Sequence, residues 1–196
     1  MFIPIILAAG ESKRMGIPKA LLDFGGTSCL ELVMKTCLHS KAGKPIVVLG
    51  HEADRIRARC DLTRATVAEN KKYALGQTSS LLAGLSALPP EAKGFILFPV
   101  DQPLVRSRDL NRLIEAAAGP HKIVIPIHDG RRGHPVLFDR TLIAEFKLEE
   151  PAYTVVRRDP ARVLELSVDH PGVVTIMNTP EEYQKCKEAY SKNASA

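Results

Sequence analysis

The sequence lacks the long apolar segment that a membrane protein needs. No apolar run approaches the roughly 20 residues that span a bilayer as a helix, and the apolar stretch at 1–9 is short and followed at once by charged residues. Because no basic residues precede that stretch, it also differs from a signal peptide. We therefore expect a cytoplasmic protein with no membrane partner.

The cysteine pattern argues against two further classes of protein. The chain has four cysteines without a CxxC pair or any paired spacing, at Cys29, Cys37, Cys60 and Cys186. Disulfide frameworks and zinc sites are both recognised by such spacing. We expect reduced thiols in a reducing compartment.

The chain also has only a small excess of positive over negative charge. Lys and Arg number 27 against 22 Asp and Glu, which leaves a formal charge of +5. This excess suits a small anionic ligand and is too small to indicate nucleic acid, so we expect no nucleic-acid partner. The 196 residues are 45% hydrophobic; we predict one domain over 1–190 and a frayed polar tail over 191–196.

Short apolar runs alternate with longer amphipathic stretches. Consecutive apolar positions predict strands that are buried on both faces, at 5–8, 45–49, 95–100 and 122–126. Amphipathic stretches predict helices near 27–41, 52–60, 78–88 and 107–118. The alternation predicts an α/β fold, a three-layer, Rossmann-like, doubly wound and mostly parallel sheet.

The region 130–176 has a different spacing. Short strands are predicted there that add an antiparallel or edge element to the sheet, at 135–138, 162–166 and 173–176. Thr179 and Pro180 predict the start of a last helix, with Thr179 as its N-cap. Pro4 cannot donate to a sheet ladder, so we expect the first strand to begin after it.

The segment LAAGESKRMGIPK, which continues from the first strand, is the most informative part of the chain. Gly10 and Gly16 permit positive φ and let backbone N–H groups approach an anion. Lys13, Arg14 and Lys19 can neutralise phosphates at the carboxyl edge of the sheet. The spacing fits a surface turn with solvated cations equally well. Neither GxxxxGK[ST] nor, after the first strand, GxGxxG is present, which disfavours a P-loop NTPase and a dinucleotide fold.

Polar residues follow two of the predicted strands. Asp101 comes directly after the strand at 95–100, and Asn178 follows the one at 173–176. Their oxygens suit Mg²⁺, which nucleotide sites hold with one or two carboxylates and phosphate oxygens. The alternatives are a turn or cap for Asp101 and a cap of the last helix for Asn178. Farther back, Thr78 or Ser79 is expected to cap the helix that follows Gly76.

These segments resemble the molybdenum cofactor nucleotidyltransferase-like family, the MobA-like NTP transferases. LAAGESKRMGIPKALL is similar to the family signature LAAGxSxRMGxxKxLL, and GQTSSLLAGL, FPVDQPLV, GRRGHPVLF and MNTPEEY follow in the family's order. DQP and GHPVLF are typical of the cytidylyltransferase branch. The resemblance implies a fold of the nucleotide-diphospho-sugar transferase type and transfer of CMP from CTP to molybdopterin, with release of pyrophosphate.

The resemblance also implies roles for individual residues. Nucleotide contacts fall on Leu7, Ala8, Ala9, Gly10, Arg14, Lys19, Gly76, Ser79 and Ser80. Arg14, Lys19 and Asp101 are implied as catalytic residues, with Mg²⁺, or alternatively Mn²⁺, held by Asp101 and Asn178. Acceptor contacts fall on Arg131, Gly133 and His134, and His134 is a contact rather than a base because an acceptor phosphate needs little proton transfer. The implied partners are CTP or another NTP, an anionic acceptor such as molybdopterin, and a molybdoenzyme that receives the product.

The sequence departs from this family at two places. Relatives often have Asp where this chain has Asn178, and LEEPAYTVVR at 148–157 replaces the GDxGAR-like stretch of cytidylyltransferases. A solvated surface is expected for Arg157 and Arg158. Two alternatives stay open: transfer to another small phosphate such as a sugar phosphate, and a non-catalytic protein that binds nucleotide or cofactor. No feature for flavin or nicotinamide is present.

Overall fold

A mostly parallel sheet of eight strands forms the centre of the computed structural model, which describes residues 1–194. The strands are β1 (Phe2–Ala8), β2 (Ile46–Leu49), β3 (Thr66–Glu69), β4 (Gly94–Pro99), β5 (Ile123–His128), β6 (Arg131–Arg132), β7 (Val136–Asp139) and β8 (Val163–Ser167). Their order is β3-β2-β1-β4-β7-β5-β6, and β8 pairs with β5. Strands β3, β2, β1 and β4 are parallel in that row, whereas β7 runs antiparallel to β4 and β5. The predicted α/β fold with an antiparallel element is confirmed.

In the described chain, six α-helices cover both faces of this sheet. They are α1 (Cys29–Leu38), α2 (Ala53–Arg59), α3 (Gln77–Ser86), α4 (Ser107–Ala116), α5 (Tyr153–Arg157) and α6 (Pro180–Ala194). Successive residues of a strand face opposite sides. Ile6 therefore packs in one core with α1 and α6, whereas Ile5 and Leu7 pack in another with α3 and α5. The continuous apolar strands are buried on both faces, which gives the three predicted layers.

Pro4 lies inside β1, so the prediction that this strand begins after Pro4 is wrong. Alternate residues of a strand direct their backbone groups to the same neighbour. The backbone groups of Phe2 and Pro4 therefore face the same side of β1. On that side, the Phe2 carbonyl accepts a hydrogen bond from Gly43 N at 2.8 Å. Pairing with β2 starts only where Ile5 lies opposite Ile46. No ladder hydrogen bond is therefore lost at the proline nitrogen.

The strand predicted at 173–176 is also wrong. The chain forms a 3₁₀ turn at Pro171–Val173 and then runs without regular structure to α6. Val173 is fully buried, and its carbonyl accepts a hydrogen bond from His134 N at 2.8 Å. Its apolar character reflects burial in the core rather than pairing in the sheet. The short strand β3 was not predicted, because its residues are largely exposed at the sheet edge.

The ends of two helices differ from expectation. Helix α3 begins at Gln77 without a side-chain cap, so neither Thr78 nor Ser79 is its N-cap. Helix α6 continues through Ala194 where a frayed tail was predicted, and residues 195 and 196 of that tail lie outside the described residues. The four cysteines are free and buried. Within residues 1–194, no helix has the length and apolar character that crossing a bilayer requires.

Candidate active site

A cavity of about 420 Å³ lies at the carboxyl ends of β1 and β4, and we call it the first cavity. Strand β1 is flanked by β2 on one side and β4 on the other, so chain connections diverge here, as they do where ligands bind in open α/β sheets. The first cavity is lined by ten of the predicted site residues, Leu7, Ala8, Ala9, Gly10, Arg14, Lys19, Gly76, Ser80, Asp101 and Asn178.

Lys19, Asp101 and Asn178 meet in the first cavity although they are far apart in sequence. The Lys19 ammonium donates to Asp101 Oδ2 at 2.7 Å and to Asn178 Oδ1 at 2.8 Å. The Lys19 and Asp101 side chains are only 15% and 19% exposed, so this ion pair is poorly screened by solvent. The structure thus brings the predicted cation and the two predicted oxygen ligands to one point.

Backbone contacts fix the position of Asn178 beside Asp101. Met177 N donates to the Asp101 carbonyl at 3.1 Å, which joins the two segments directly. At the start of α6, Glu182 N donates to Thr179 Oγ1 at 3.3 Å, and Thr179 N donates back to the Glu182 carboxylate at 3.2 Å. Thr179 is therefore the N-cap, as predicted. The alternative that Asn178 caps this helix is wrong, and its side chain instead reaches the first cavity.

The oxygens that hold the Lys19 ammonium also fit a divalent metal ion. A carboxylate oxygen and an amide oxygen are hard ligands of the kind that Mg²⁺ and Mn²⁺ accept, and phosphate oxygens complete such sites. Within residues 1–194, no group of three or more His, Cys, Asp or Glu side chains could hold a metal by itself. The site therefore suits a metal that arrives with a phosphate ligand.

The loop between β1 and Lys19 presents backbone donors to the first cavity. Ser12 and Gly16 have positive φ, at 52° and 71°. Gly10, which also permits positive φ, does not adopt it. Among the described residues, the backbone N–H groups of 10–14 have no hydrogen-bond acceptor. Ser12 Oγ accepts from Lys19 N at 3.1 Å, which ties the end of the loop to its start.

Two cations of this loop differ in their surroundings. Lys13 is exposed and forms an ion pair with Glu11 at 2.7 Å. Arg14 lines the first cavity, and in the described part of the chain its guanidinium has no ion-pair or hydrogen-bond partner. Arg14 is therefore free to bind an anion in this cavity.

Tyr73 lines the first cavity and was missed by sequence reasoning. It follows the unpredicted strand β3, and no periodicity marks it. A Cβ at Gly50 would lie 2.8 Å from the Tyr73 Cβ and 2.9 Å from the Ala9 carbonyl oxygen, so the lack of a side chain at Gly50 lets these segments approach. His51 Nδ1 lies 3.4 Å from the Tyr73 hydroxyl.

Ser79 and Ser80 differ in their contacts although both were predicted to meet the nucleotide. Ser79 Oγ donates to the carbonyls of Gly76 and Lys72, at 2.7 and 3.0 Å, and does not line the first cavity as the structure describes it. Ser80 does line it. Of these two adjacent serines, only Ser80 therefore reaches the first cavity as the structure describes it.

A second cavity, of about 640 Å³, adjoins the first and shares Gly76 and Gln77 with it. Its floor is apolar, formed by one face of the sheet with Leu97, Ile125, Val136 and Phe138. Gly133 and His134 line it, as does Arg132, which pairs with Glu165 at 2.7 Å. Arg131 is not among the lining residues in the described chain, because successive residues of β6 face opposite sides.

The position of His134 links the two cavities. Burial lowers the pKa of the His134 imidazole, and the negative charge of Asp101 opposes that shift only in part. The ring is therefore neutral at neutral pH and offers one N–H donor and one acceptor. Gly133 has a steric role as well, since a Cβ there would overlap the Val173 carbonyl oxygen.

The segment 148–157 forms the outer wall of the second cavity. Tyr153 is 56% exposed, and the Arg157 guanidinium lies 4.6 Å from the centre of its ring. Arg158 instead forms ion pairs with Glu145 and Glu150. The wall therefore carries a cation stacked on an aromatic ring at the mouth of an apolar cavity.

The chain resembles several curated proteins. It is 33% identical over 147 residues to the nicotine blue oxidoreductase of Paenarthrobacter nicotinovorans. That match covers 70% of this chain and 71% of that protein. It is 29% identical over 130 residues to a probable molybdenum cofactor guanylyltransferase of Bacillus cereus strain Q1, covering 65% and 62%. It is 38% identical over 117 residues, 59% of the chain, to the bifunctional protein GlmU of Chromobacterium violaceum, and that match spans only a quarter of the GlmU length.

Solved structures and a family model agree with this likeness. The crystal structure of Rv0371c from Mycobacterium tuberculosis H37Rv matches with a TM-score of 0.84 and 28% identity over 95% of this chain and 97% of that one. A complex of Rv0371c with manganese matches with a TM-score of 0.79 and 27% identity, over 96% and 98%. The model of the MobA-like NTP transferase domain matches residues 4–163. With its fold and its first cavity in agreement, the chain belongs to the MobA-like NTP transferase family.

Proposed function

We propose that this protein transfers CMP from CTP to the phosphate of molybdopterin that bears molybdenum, and releases pyrophosphate. The observation that carries the proposal is that the first and second cavities adjoin at Gly76 and Gln77. One cavity has cations and oxygen ligands, and the other has an apolar floor with His134 near Asp101. Two reactants held in adjoining cavities are oriented for direct transfer, which lowers the entropic part of the barrier.

The first cavity has the groups that a triphosphate needs. Free backbone N–H groups of 10–14 can donate to phosphate oxygens, as turns that bind anions do. The unpaired Arg14 guanidinium offers a planar pair of donors, and the Lys19 ammonium lies deeper, beside Asp101. These three sources of positive charge also stabilise the charge that develops on the leaving pyrophosphate.

Asp101 and Asn178 are the residues that would hold Mg²⁺, with Mn²⁺ as an alternative. Divalent metal use in this family is supported by the manganese complex of Rv0371c. A metal bound there would neutralise phosphate charge and align the triphosphate. Asn178 contributes an oxygen without a negative charge, so the affinity for metal in the absence of nucleotide is expected to be low.

The chemical step needs no covalent intermediate with the protein. An oxygen of the acceptor phosphate attacks the α-phosphorus of CTP, the bond from that phosphorus to the bridging oxygen breaks, and pyrophosphate leaves with the electron pair. Because the attacking oxygen is already anionic, no proton has to be removed from it. Neutral His134 then serves to position the acceptor rather than to act as a general base.

The second cavity favours a ring-bearing acceptor over a sugar phosphate. A sugar presents hydroxyl groups on every side, and burying them against Leu97, Ile125 and Val136 would leave them without partners. A flat ring system can lie on this floor while its phosphate reaches toward His134. The cytidylyl-typical segments DQP and GHPVLF support the same choice. A molybdoenzyme would then receive the product.

The test is pyrophosphate release with each of the four NTPs, with and without molybdenum cofactor, alongside a sugar phosphate and phosphocholine. The proposal expects release only with CTP and the cofactor. Release with a sugar phosphate but not with the cofactor would overturn the acceptor. No release with any pair, from protein that binds CTP, would overturn nucleotidyl transfer and favour a non-catalytic binding protein.

A further inference from the structure

Asn70 is a buried residue behind the first cavity, and its side chain forms hydrogen bonds with two serines. Its side chain is 6% exposed, and its Nδ2 donates to Ser79 Oγ at 2.8 Å and to Ser80 Oγ at 3.0 Å. Its Oδ1 accepts from Lys72 N at 2.9 Å. A backbone N–H can only donate, so this contact fixes which end of the amide is the oxygen. Both serine hydroxyls therefore act as acceptors toward Asn70.

The two serines use their own hydrogens differently. Ser79 donates to the carbonyls of Lys72 and Gly76 and is fully satisfied. Ser80 is 5% exposed and lines the first cavity, and among residues 1–194 no acceptor meets its hydroxyl hydrogen. The hydrogen is thus free for a ligand in the first cavity.

The backbone beside Ser80 offers further donors. Helix α3 has ten residues, and the N–H groups of its first turn have no acceptor within the helix. Gln77, the first residue of this turn, also lines the first cavity. This part of the cavity therefore presents donors to a ligand and suits a ligand edge that carries acceptors.

We propose that Asn70 is a positioning residue for nucleotide selection, which makes the Ser80 hydroxyl a donor to the base and so selects a base with adjacent acceptors. This inference rests on the proposed function, since it assumes that the first cavity holds the donor nucleotide. Cytosine presents two neighbouring acceptors, O2 and N3. Guanine presents N1–H and N2–H donors on the corresponding edge, and uracil has an N3–H donor. Because Asn70 occupies one lone pair of Ser80 Oγ and the backbone N–H groups beside it can only donate, a base edge that carries donors leaves these N–H groups unpaired, which disfavours GTP and UTP.

The inference is tested by equilibrium binding of CTP and of GTP, measured by calorimetry without metal or acceptor. Ser80→Ala is expected to weaken CTP binding about 10-fold, the effect of one buried hydrogen bond, and to change GTP binding less than about twofold. Ser80→Thr keeps a hydroxyl and is expected to retain the preference for CTP. Ser86→Ala, on the same helix with its hydroxyl bonded to the Leu82 carbonyl, is the matched control and leaves the ratio unchanged.

Asn70→Asp separates positioning from packing, because Asn70 does not line the first cavity as described. A carboxylate cannot donate, so it takes the hydroxyl hydrogen of Ser80 as an acceptor and removes it from the ligand. The expected result is a CTP-to-GTP ratio about 10-fold lower than in the wild type, with no further change when Ser80→Ala is added. The added charge repels both triphosphates alike, so the ratio isolates the hydrogen bond. If thermal melting shows that Asn70→Asp is unfolded, Asn70→Ala gives the same comparison.

The outcomes distinguish this inference from the proposed function. Equal weakening of CTP and GTP binding by Ser80→Ala, or an unchanged ratio in a folded Asn70 variant, would overturn the inference alone. A wild-type protein that prefers CTP but releases no pyrophosphate with any acceptor would overturn the proposed function and leave the inference in place. Failure of the wild type to bind any NTP would overturn both.

Discussion

The two adjoining cavities place their polar groups differently. In the first cavity a cluster of polar groups comes from the loop after β1, the end of β4 and the segment before α6, and long-range hydrogen bonds join them. The second is apolar on its floor and has an exposed wall at 148–157. Directional bonds define the position of a charged ligand closely, whereas an apolar floor accepts any ring of suitable size. Under the proposed function, polar contacts would specify the donor nucleotide, and shape with a few contacts at the rim would specify the acceptor.

Removing the carboxylate of the first cavity is the most severe test of this difference. Asp101→Ala is expected to lower the rate of pyrophosphate release at least about 100-fold, because transition-state charge loses its stabilisation. CTP binding measured without metal is expected to change less than about threefold, since backbone N–H groups and Arg14 remain. Asp169→Ala, which removes an exposed carboxylate 3.9 Å from Arg108, is the control. Turnover at the wild-type rate in Asp101→Ala would refute the metal assignment.

Removing the Lys19 ammonium should strengthen the binding of a metal ion in the first cavity. Lys19→Met takes away the cation that occupies Asp101 and Asn178, so binding of Mn²⁺ without nucleotide is expected to tighten about 10-fold. Electron paramagnetic resonance of free Mn²⁺ measures this directly, whatever the effect on turnover. Lys41→Met makes the same change in net charge at an exposed position that does not line the first cavity as described, and is the matched control. Weaker binding in Lys19→Met would show that the metal lies elsewhere.

A change at the rim of the second cavity should affect one substrate only. Tyr153→Ala removes the ring beneath Arg157, and the KM for the acceptor is expected to rise about fivefold, the effect of one aromatic contact. The KM for CTP should stay within about 1.5-fold, because Tyr153 does not line the first cavity as described. Initial rates at varied concentrations of each substrate check this. Equal changes in both KM values would mean that the two cavities are not separate.

The smallest expected effect concerns stability at acid pH. Burial holds the pKa of His134 below its ordinary value of 6.5, so the unfolded chain binds this proton more readily than the folded one. The stabilisation is therefore present above that ordinary value and is lost as the pH falls through the lower folded pKa. Between pH 7 and pH 5, the free energy of unfolding should therefore decrease less in the His134→Gln variant than in the wild type. Urea unfolding at each pH measures it, and parallel curves would contradict the prediction.

More residues of the first cavity than of the second could be predicted from the sequence. Parallel strands end at one edge of a sheet, so Lys19 and Asp101 were both predicted at that edge, and the family resemblance favoured a shared site over a surface turn. Asn178 was assigned to this site through a strand at 173–176 that does not exist. The serine that faces the cavity depends on Asn70 and on where α3 begins, and the short segment 70–76 has no sequence periodicity that would signal either.

The second cavity depends on contacts that no local pattern encodes. Leu97, Ile125, Val136 and Phe138 come from three strands whose order in the sheet differs from their order in the chain. That order decides which side chains become neighbours. Arg132 lines this cavity and the neighbouring Arg131 does not, a difference that only the register of β6 decides.

The wall that the two cavities share at Gly76 and Gln77 has a kinetic consequence. If each cavity binds one reactant, as proposed, both reactants would occupy the protein at the same time, and neither would have to leave before the other enters. Double-reciprocal plots should intersect rather than run parallel, and no nucleotide should become attached to a side chain during turnover.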